Sequence, residues 1–344
     1  MKKTIEQYLD ELLTNIKEES TPIKEILKKE TEDVSCNFIA RTTGVVSGVK
    51  IAQYIFKKTN SKIGFKILKD DGNYVNRGDV VCVMSGPINE ILKVSNLALN
   101  FVRYMSGIAT LVSKYKMEIS DLETQLLYSG HSAPGLESFA ELAFIDGGGV
   151  LYEENKNYCV LSSNTIARFE SIDLAIKAIK EVDKSIKPIV EVNDQIEFEE
   201  ALFSNALVIR LNSSKESIIK NCAIINNDKK ILELQSEIEL RHIRQVAKMG
   251  YKYIIIPSLS DAAKSLPIDL SFYKRLKRLN NYFFLKLIPS IPPIDEEIMQ
   301  HSAFIKYFES NVLVKNLNNK IINTRINEIN KEFINPFFRN RKLI

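Results

Sequence analysis

The chain has 344 residues, of which 45% are hydrophobic and 26% charged, so it is long enough for two soluble domains with a large core. Its 47 basic residues exceed its 43 acidic residues by a net charge of only +4, which is too small to indicate a nucleic-acid-binding surface. No apolar run approaches the roughly 18 residues of a membrane span, and no two of the four cysteines form a CxxC pair, so we expect a cytoplasmic protein with reduced thiols and no zinc site.

The first 116 residues alternate short helical and strand patterns. Apolar residues recur at helical spacing in residues 4–30, which predicts two helices. Residues 33–56 predict a strand, a glycine-rich turn at Gly44–Gly48 and a helix, and the short strands Phe65–Leu68 and Val80–Met84 follow. Such short elements favour an α+β domain.

A long helical stretch, Ile88–Lys116, joins this domain to a regular alternation of strands and helices. Ser106 and Gly107 within it predict a close-packing or kinking point. The buried parallel strands are predicted at six nearly apolar runs, TQLLYS, YCVLSS, KPIVEV, ALVIRL, KILELQ and YIIIPS. The helices between them are predicted at Ile172–Lys184, Gln195–Phe203, Lys215–Asn221 and Leu240–Met249. Six such strands favour a closed α/β barrel over an open sheet.

Pro267 ends this alternation. Tyr273–Leu287 predicts a helix followed by a strand, and IPSIPPIDEE is a proline-rich linker. Two further helices are predicted at Glu296–Phe308 and Lys315–Phe333. The expected parts are an N-terminal α+β domain over residues 1–116, an α/β barrel over 117–272, and a C-terminal extension over 273–344 that packs partly on the N-terminal domain.

Polar residues follow the predicted strands, where a parallel α/β barrel binds its ligands. They include His131, Asn164, Asn212, Ser236 and Ser258. This rim is polar but nearly uncharged, so it can donate hydrogen bonds but cannot neutralise a pyrophosphate. Arg210 lies inside an apolar run, and we expect it to face the barrel interior and to pair with Glu191 or Glu233.

Two stretches of the chain resemble a known family. Arg77–Thr110, RGDVVCVMSGPINEILKVSNLALNFVRYMSGIAT, and Ser129–Gly149, SGHSAPGLESFAELAFIDGGG, are similar to quinolinate phosphoribosyltransferase, also called carboxylating nicotinate-nucleotide pyrophosphorylase. The resemblance extends from Lys28 to Phe272. It implies an N-terminal α+β domain, an α/β barrel and pentosyltransferase activity. It also implies a homodimer in which the N-terminal domain of one subunit covers the barrel mouth of the other.

The charged residues of that family are largely missing here. On the helix before SGIAT, the family's Glu-Arg pair and later Arg become Ser95, Asn96 and Tyr104, and Arg103 lies one residue early, about 100° around the helix. The family's Asp that helps to hold magnesium falls on Leu211. Other charged motifs of the family fall on Ser129–Ser132, Glu137, Tyr152, Glu153, Ser162–Thr165 and Asn193. Its Ser-Gly-Gly phosphate loop falls on Gln235–Glu237, and its last glycine-containing loop falls on Pro257–Leu259. Because buried anions need cationic partners, this pocket would repel the family's substrates.

Three features have two interpretations each. His131 is an anion-binding residue or, as we favour, an ordinary polar loop residue. Gly147–Gly149 is a phosphate cradle or, as the resemblance implies, a structural turn. Glu191 and Glu233 are a residual metal pair or, more simply, carboxylates with ordinary partners.

A vestigial pocket is therefore predicted, without an assigned catalytic residue, metal ligand or cofactor. Its members are Arg103, Tyr104, His131, Ser132, Tyr152, Ser162, Asn164, Glu191, Asn212, Glu233, Ser236 and Ser258. The leading hypothesis is a degenerate, non-catalytic family member with a binding, assembly or regulatory role. The resemblance implies a homodimer, and the aromatic residues of the C-terminal extension either form a surface for a protein partner or pack back on the first domain.

The alternative hypothesis is an active phosphoribosyltransferase of NAD-type nucleotide biosynthesis. It would use Mg²⁺ and act on quinolinate or on a less anionic substrate, or it would belong to the related molybdenum-transport-associated branch. Its cations would come from elsewhere, such as Arg103, Arg168 or the partner subunit's Arg41.

Overall fold

A computed structural model of the protein describes residues 4–15, 33–152, 158–227 and 229–273. The described helices are Ile5–Thr14 (α1), Val49–Thr59 (α2), Ile88–Glu118 (α3), Glu137–Asp146 (α4), Ser163–Ile166 (α5), Ile172–Val182 (α6), Gln195–Phe203 (α7), Glu216–Asn226 (α8) and Leu240–Ala247 (α9). The described strands are Asp33–Ala40 (β1), Gly44–Val45 (β2), Gly64–Ile67 (β3), Tyr74–Val75 (β4), Val80–Pro87 (β5), Gln125–Leu126 (β6), Tyr158–Leu161 (β7), Lys187–Val192 (β8), Val208–Asn212 (β9), Ile231–Gln235 (β10), Tyr253–Ile255 (β11) and Ile268–Tyr273 (β12).

The N-terminal domain is built on a four-stranded antiparallel sheet in the order β12-β1-β5-β3. Helix α2 begins after Gly48, whose φ of 87° is the left-handed conformation that glycine adopts readily. Its apolar face, which includes Ala52, Ile55 and Phe56, is fully buried. The predicted strand, glycine-rich turn and helix of residues 33–56 are therefore confirmed, as is the α+β class.

Strand β12 belongs to this sheet and not to the barrel. It pairs antiparallel with β1 over six positions, from Ser35 opposite Tyr273 to Ala40 opposite Ile268. From the sequence, the barrel domain was predicted to extend to residue 272, and this strand was not predicted. The strand pairs with β1, which lies more than 220 residues earlier in the chain, and such a distant pairing leaves no local pattern. The rest of the predicted segment Tyr273–Leu287 lies outside the described residues, as do the second predicted helix of residues 4–30 and both helices of the extension.

The second domain contains six parallel strands in the order β6-β11-β10-β9-β8-β7, one for each predicted apolar run. In a flat sheet, the edge strands β6 and β7 would lie about 24 Å apart, at ~4.8 Å per strand. Val150 pairs with Leu127 beside β6, yet the ring of Tyr152, two residues later, lies only 4.8 Å from the ring of Tyr158 in β7. The sheet therefore curls on itself, as the barrel prediction requires.

Helix α3 packs against both domains. It is continuous over 31 residues and buries apolar residues against α2 and β12 on one side and against α4, α9 and β6 on the other. Gly107 is a close-packing position, because a Cβ atom there would lie 2.5 Å from the backbone oxygen of Lys264. Gly147 has the same role from the other side, where a Cβ atom would lie 2.6 Å from the backbone oxygen of Ala109.

None of the described helices is both long enough and apolar enough to cross a bilayer.

Replacing Gly107 by Ala should destabilise the protein, although the same change in an open helix normally stabilises it. The added methyl group meets backbone atoms that cannot rotate away, and overpacking of this kind costs about 1–3 kcal/mol. Urea denaturation measures the loss in the free energy of unfolding. The control is Asn100→Ala at an exposed position of the same helix, which should be neutral or slightly stabilising. Equal stabilities of the two variants would contradict the close contact at Gly107.

Candidate functional site

A buried ion pair occupies the interior of the barrel. Arg210 in β9 and Glu233 in β10 are register partners on neighbouring strands, and they are 8% and 1% exposed. The Nε atom of Arg210 donates to Oε2 of Glu233 at 2.9 Å. This confirms that Arg210 faces the interior and shows that Glu233 is its partner. Removal of either charge alone would leave the other buried without compensation.

Tyr152 completes this interior cluster. Its hydroxyl donates to Oε2 of Glu233 at 2.6 Å and accepts from the guanidinium of Arg210. Burial, reinforced by the charge of Glu233, raises the pKa of Tyr152 above its ordinary value, so the phenol stays neutral. The ring of Tyr158 packs beside it. Two of the predicted pocket residues, Tyr152 and Glu233, are thus bonded to each other and to Arg210 rather than facing a ligand.

A second hydrogen-bonded network ties strand β7 to strand β8 at the barrel mouth. The side-chain amide of Asn193 donates to Oγ of Ser163 at 2.6 Å and to Oε2 of Glu197 at 3.2 Å. Glu197 also accepts from the backbone N–H of Asn193 at 2.7 Å and from the Ser163 hydroxyl at 3.2 Å. The Glu197 carboxylate therefore uses its capacity on neighbouring groups of the chain.

A further hydrogen-bonded pair lies at the mouth beyond β10 and β11. Glu237 accepts hydrogen bonds from the backbone N–H of Ser258, at 3.0 Å, and from the Ser258 hydroxyl. Next to this pair lies an open cavity of about 410 Å³. It is lined by Asn193, Asp194, Asn212, Ser213, Ser214, Lys215, Ile218, Gln235, Ser236, Glu237 and Pro257. Asn212 and Ser236, both predicted pocket residues, meet here.

Arg103 lies away from this mouth. Its Nε atom donates to the backbone oxygen of Ile268 at 2.6 Å, and a terminal nitrogen lies 3.1 Å from Asp269. Arg41 holds the other oxygen of the same carboxylate at 2.7 Å. The two guanidiniums, Arg41 first, lower the pKa of Asp269. Both arginines therefore fasten β12 into the N-terminal domain.

Tyr104, Tyr128 and Ser132 form a half-buried group beside the loop after β6. Burial raises the pKa of Tyr104 and that of Tyr128, and both rings lie near the charges of Glu137 and Asp261. The Ser132 hydroxyl is buried beside Tyr128. His131 is exposed, and its backbone N–H donates to Ser129 Oγ at 3.1 Å. The groups in this region are neutral or acidic, so they do not favour binding of a dicarboxylate.

The remaining residues of the predicted pocket do not come together at one site. Ser162 caps α5 by accepting from the N–H of Thr165 at 3.3 Å, and Asn164 is exposed on that helix. Glu191 is the register partner of Arg210 on β8, but among the described residues its carboxylate has no hydrogen-bond or ion-pair partner. No group of three or more His, Cys, Asp or Glu side chains within the described ranges is arranged to hold a metal ion.

Gly147–Gly149 forms a structural turn. Gly148 has a φ of 89°, and a Cβ atom on Gly149 would lie 2.1 Å from the ring of Phe144. Close packing therefore explains the glycines, as the structural interpretation predicted.

Glu197 and Lys215 were missed by sequence reasoning. Asp194 accepts from the N–H of Glu197 at 2.9 Å, so the pair has the spacing of a helix cap and its third residue. That signal was present in the sequence. Lys215 carries no such signal, because only the curvature of the barrel brings it to the cavity that Gln235 lines.

Comparisons with known proteins cover most of the chain. Residues 19–106 match the family profile of the quinolinate phosphoribosyl transferase N-terminal domain, and residues 108–272 match that of its C-terminal domain. A probable nicotinate-nucleotide pyrophosphorylase [carboxylating] of Synechocystis is 25% identical over 239 residues, which are 68% of this chain and 80% of the relative. The chloroplastic nicotinate-nucleotide pyrophosphorylase [carboxylating] of Arabidopsis thaliana is 24% identical over 258 residues, which are 69% and 74% of the two chains.

Solved structures show the same fold. The nicotinate-nucleotide pyrophosphorylase of Ehrlichia chaffeensis superposes with a TM-score of 0.73 at 24% identity, and the match covers 79% of this chain and 100% of that one. The corresponding structure from Francisella tularensis gives a TM-score of 0.70 at 22% identity, with 79% and 98% covered.

Replacing Glu233 by Gln should lower the free energy of unfolding by about 3–5 kcal/mol, because Arg210 then remains buried without its carboxylate. Exchanging both residues for apolar ones, in Arg210→Met/Glu233→Leu, should restore most of that loss. Glu239→Gln is the matched control, since it breaks an ion pair with Arg241 whose side chains are 72% and 67% exposed and should cost under about 1 kcal/mol. Urea denaturation compares the variants, and equal losses for the buried and exposed pairs would contradict the assignment.

Proposed function

The chain belongs to the quinolinate phosphoribosyl transferase family, and we propose that it is a non-catalytic member with a binding, assembly or regulatory role. One observation carries the proposal: three arginines that could meet a polyanionic substrate are bonded inside the chain instead. Arg210 is paired with Glu233, and Arg103 and Arg41 are both paired with Asp269. Arg103 and the partner subunit's Arg41 were two of the three cations suggested for an active alternative; the third, Arg168, is exposed in the turn after α5 and does not line the cavity at the mouth.

The charge requirement of the family's reaction supports this proposal. The resemblance implies a substrate with two carboxylates and a phosphoribosyl donor with several phosphate charges. Burial of each uncompensated charge costs several kcal/mol, whereas a good charge-assisted hydrogen bond contributes about 1.5–3 kcal/mol. The cavity at the mouth presents the carboxylates of Asp194 and Glu237 and, among its lining residues, a single cation, Lys215.

The residues that would hold magnesium do not fit the ion. Magnesium prefers carboxylate oxygens in octahedral geometry. In the family resemblance the magnesium-holding Asp falls on Leu211, which is apolar and fully buried, and the last Glu of Glu-Val-Glu falls on Asn193. The amide of Asn193 donates to Ser163 and Glu197 instead. The proposed function therefore contains no magnesium-dependent step.

A second candidate function is transfer to a less anionic substrate, and the open cavity of about 410 Å³ favours it. The interior cluster of Tyr152, Arg210 and Glu233 blocks the barrel centre but leaves the mouth accessible. Lys215 is the group there that offers a positive charge to a donor phosphate.

The decisive assay incubates the full chain with quinolinate, phosphoribosyl pyrophosphate and Mg²⁺ and measures both pyrophosphate release and formation of the nicotinate mononucleotide. We expect neither product above the enzyme-free background, because the transition-state charges have no stabilising partners. The Arabidopsis relative, at the same concentration, is the positive control. Quinolinate-dependent release of pyrophosphate with matching mononucleotide would overturn the proposal. Pyrophosphate release that instead depends on an uncharged acceptor would establish the second candidate.

A further inference from the structure

The cavity at the barrel mouth is lined largely by uncharged hydrogen-bonding groups. It lies at the carboxyl ends of β8, β9 and β10, where Asn212 and Gln235 are register partners on adjacent strands. Their side-chain amides therefore lie side by side at the cavity, roughly one strand spacing of 4.8 Å apart. Among the described residues, neither of these side-chain amides has a hydrogen-bond partner. Each amide offers a carbonyl acceptor and two N–H donors.

Ser236 adds a hydroxyl in a more enclosed position. It is only 7% exposed, it lines the cavity, and its hydroxyl makes no hydrogen bond to any described residue. Because the Ser236 oxygen remains accessible from the cavity, the hydroxyl can both donate to and accept from a molecule that enters it. Ser236 thus offers a ligand one more hydrogen-bonding group beside the two amides.

The charges around the cavity select the kind of partner. Asp194 already caps α7, and Glu237 is held by Ser258, so both carboxylates are fixed as acceptors at the cavity wall. With Lys215 included, these three residues sum to one negative charge, which disfavours phosphates and carboxylates. Hydroxyl groups, in contrast, donate to carboxylates and both donate to and accept from amides and hydroxyls.

We propose that this cavity binds an uncharged, polyhydroxylated small molecule between a monosaccharide and a nucleoside in size. The volume of about 410 Å³ lies in the usual range for small-molecule sites. The inference rests on the proposed loss of catalysis, because it assigns to the same mouth a neutral ligand in place of an anionic substrate. A site built from amides and hydroxyls discriminates strongly against ligands that leave those groups unpaired.

Calorimetric titration of the full chain tests the proposal with three probes: ribose, uridine and ribose 5-phosphate. The neutral probes should bind, and ribose 5-phosphate should bind at least about tenfold more weakly than ribose because its charge meets the carboxylates. Tighter binding of uridine than of ribose would identify a nucleoside as the ligand, whereas equal binding would identify the sugar alone. Failure of both neutral probes to bind, or tighter binding of the phosphate, would overturn the proposal.

Two variants test whether the ligand binds in this cavity. Ser236→Ala should weaken binding of the neutral probe about threefold to tenfold, the weight of one ordinary hydrogen bond. Asn212→Ala should act similarly and, being at an exposed side chain, leaves folding intact. Ser61→Ala, exposed in the turn after α2, is the matched control and should bind as the parent does. If neither Ser236→Ala nor Asn212→Ala weakens binding, the ligand lies elsewhere and the inference is wrong.

The two proposals fail in distinguishable ways. Turnover of quinolinate overturns the loss of catalysis and with it the basis of the neutral site. Absence of turnover together with absence of neutral-probe binding overturns only the neutral site.

Discussion

A charge inside a closed parallel barrel must be compensated either by a ligand or by the chain itself. In this protein the chain supplies the compensation, since Arg210, Glu233 and Tyr152 satisfy one another in the barrel interior. An ion pair at this depth contributes little net stability, because desolvation of both charges offsets most of their attraction. Its effect is instead to remove a cation from the reach of a ligand. The guanidinium of Arg210 is bonded to Glu233 and Tyr152, which supports the proposal that it does not serve a phosphate at the mouth.

The frame around that cluster depends on close contact at a long helix. Helix α3 packs against both sheets, and glycines at positions 107 and 147 let backbone segments approach it more closely than any side chain would allow. The side chain of Arg103 extends from the same helix to β12, where together with Arg41 it pairs with Asp269. Arg103 thereby fastens the last described strand to the first domain. Both cations, Arg103 and Arg41, serve one structural ion pair with Asp269.

The mouth itself shows two kinds of polar group. Ser163, Asn193 and Glu197 bond to one another, and Glu237 is bonded to Ser258, so these groups are satisfied without a ligand. Ser236 and the amides beside it are not satisfied by the described chain. These groups are open to the cavity, so they remain available for hydrogen bonds to a ligand. The contrast between these two sets supports a binding role at the mouth rather than a purely structural one.

The sequence by itself determined the family, the α+β and barrel classes, all six barrel strands and the interior orientation of Arg210. These follow from local patterns: apolar runs at strand length, helical spacing between them, and a charge whose burial requires a partner nearby. The sequence also indicated that the rim is nearly uncharged, because composition at strand ends does not depend on detailed geometry. Only the tertiary structure decided that Glu233 and not Glu191 is the partner of Arg210, that Arg103 turns toward β12, and that Gln235 and Lys215 reach the same cavity as Ser236. The physical reason is that these relations depend on barrel curvature and on pairings between distant segments, and neither leaves a periodic trace in the chain.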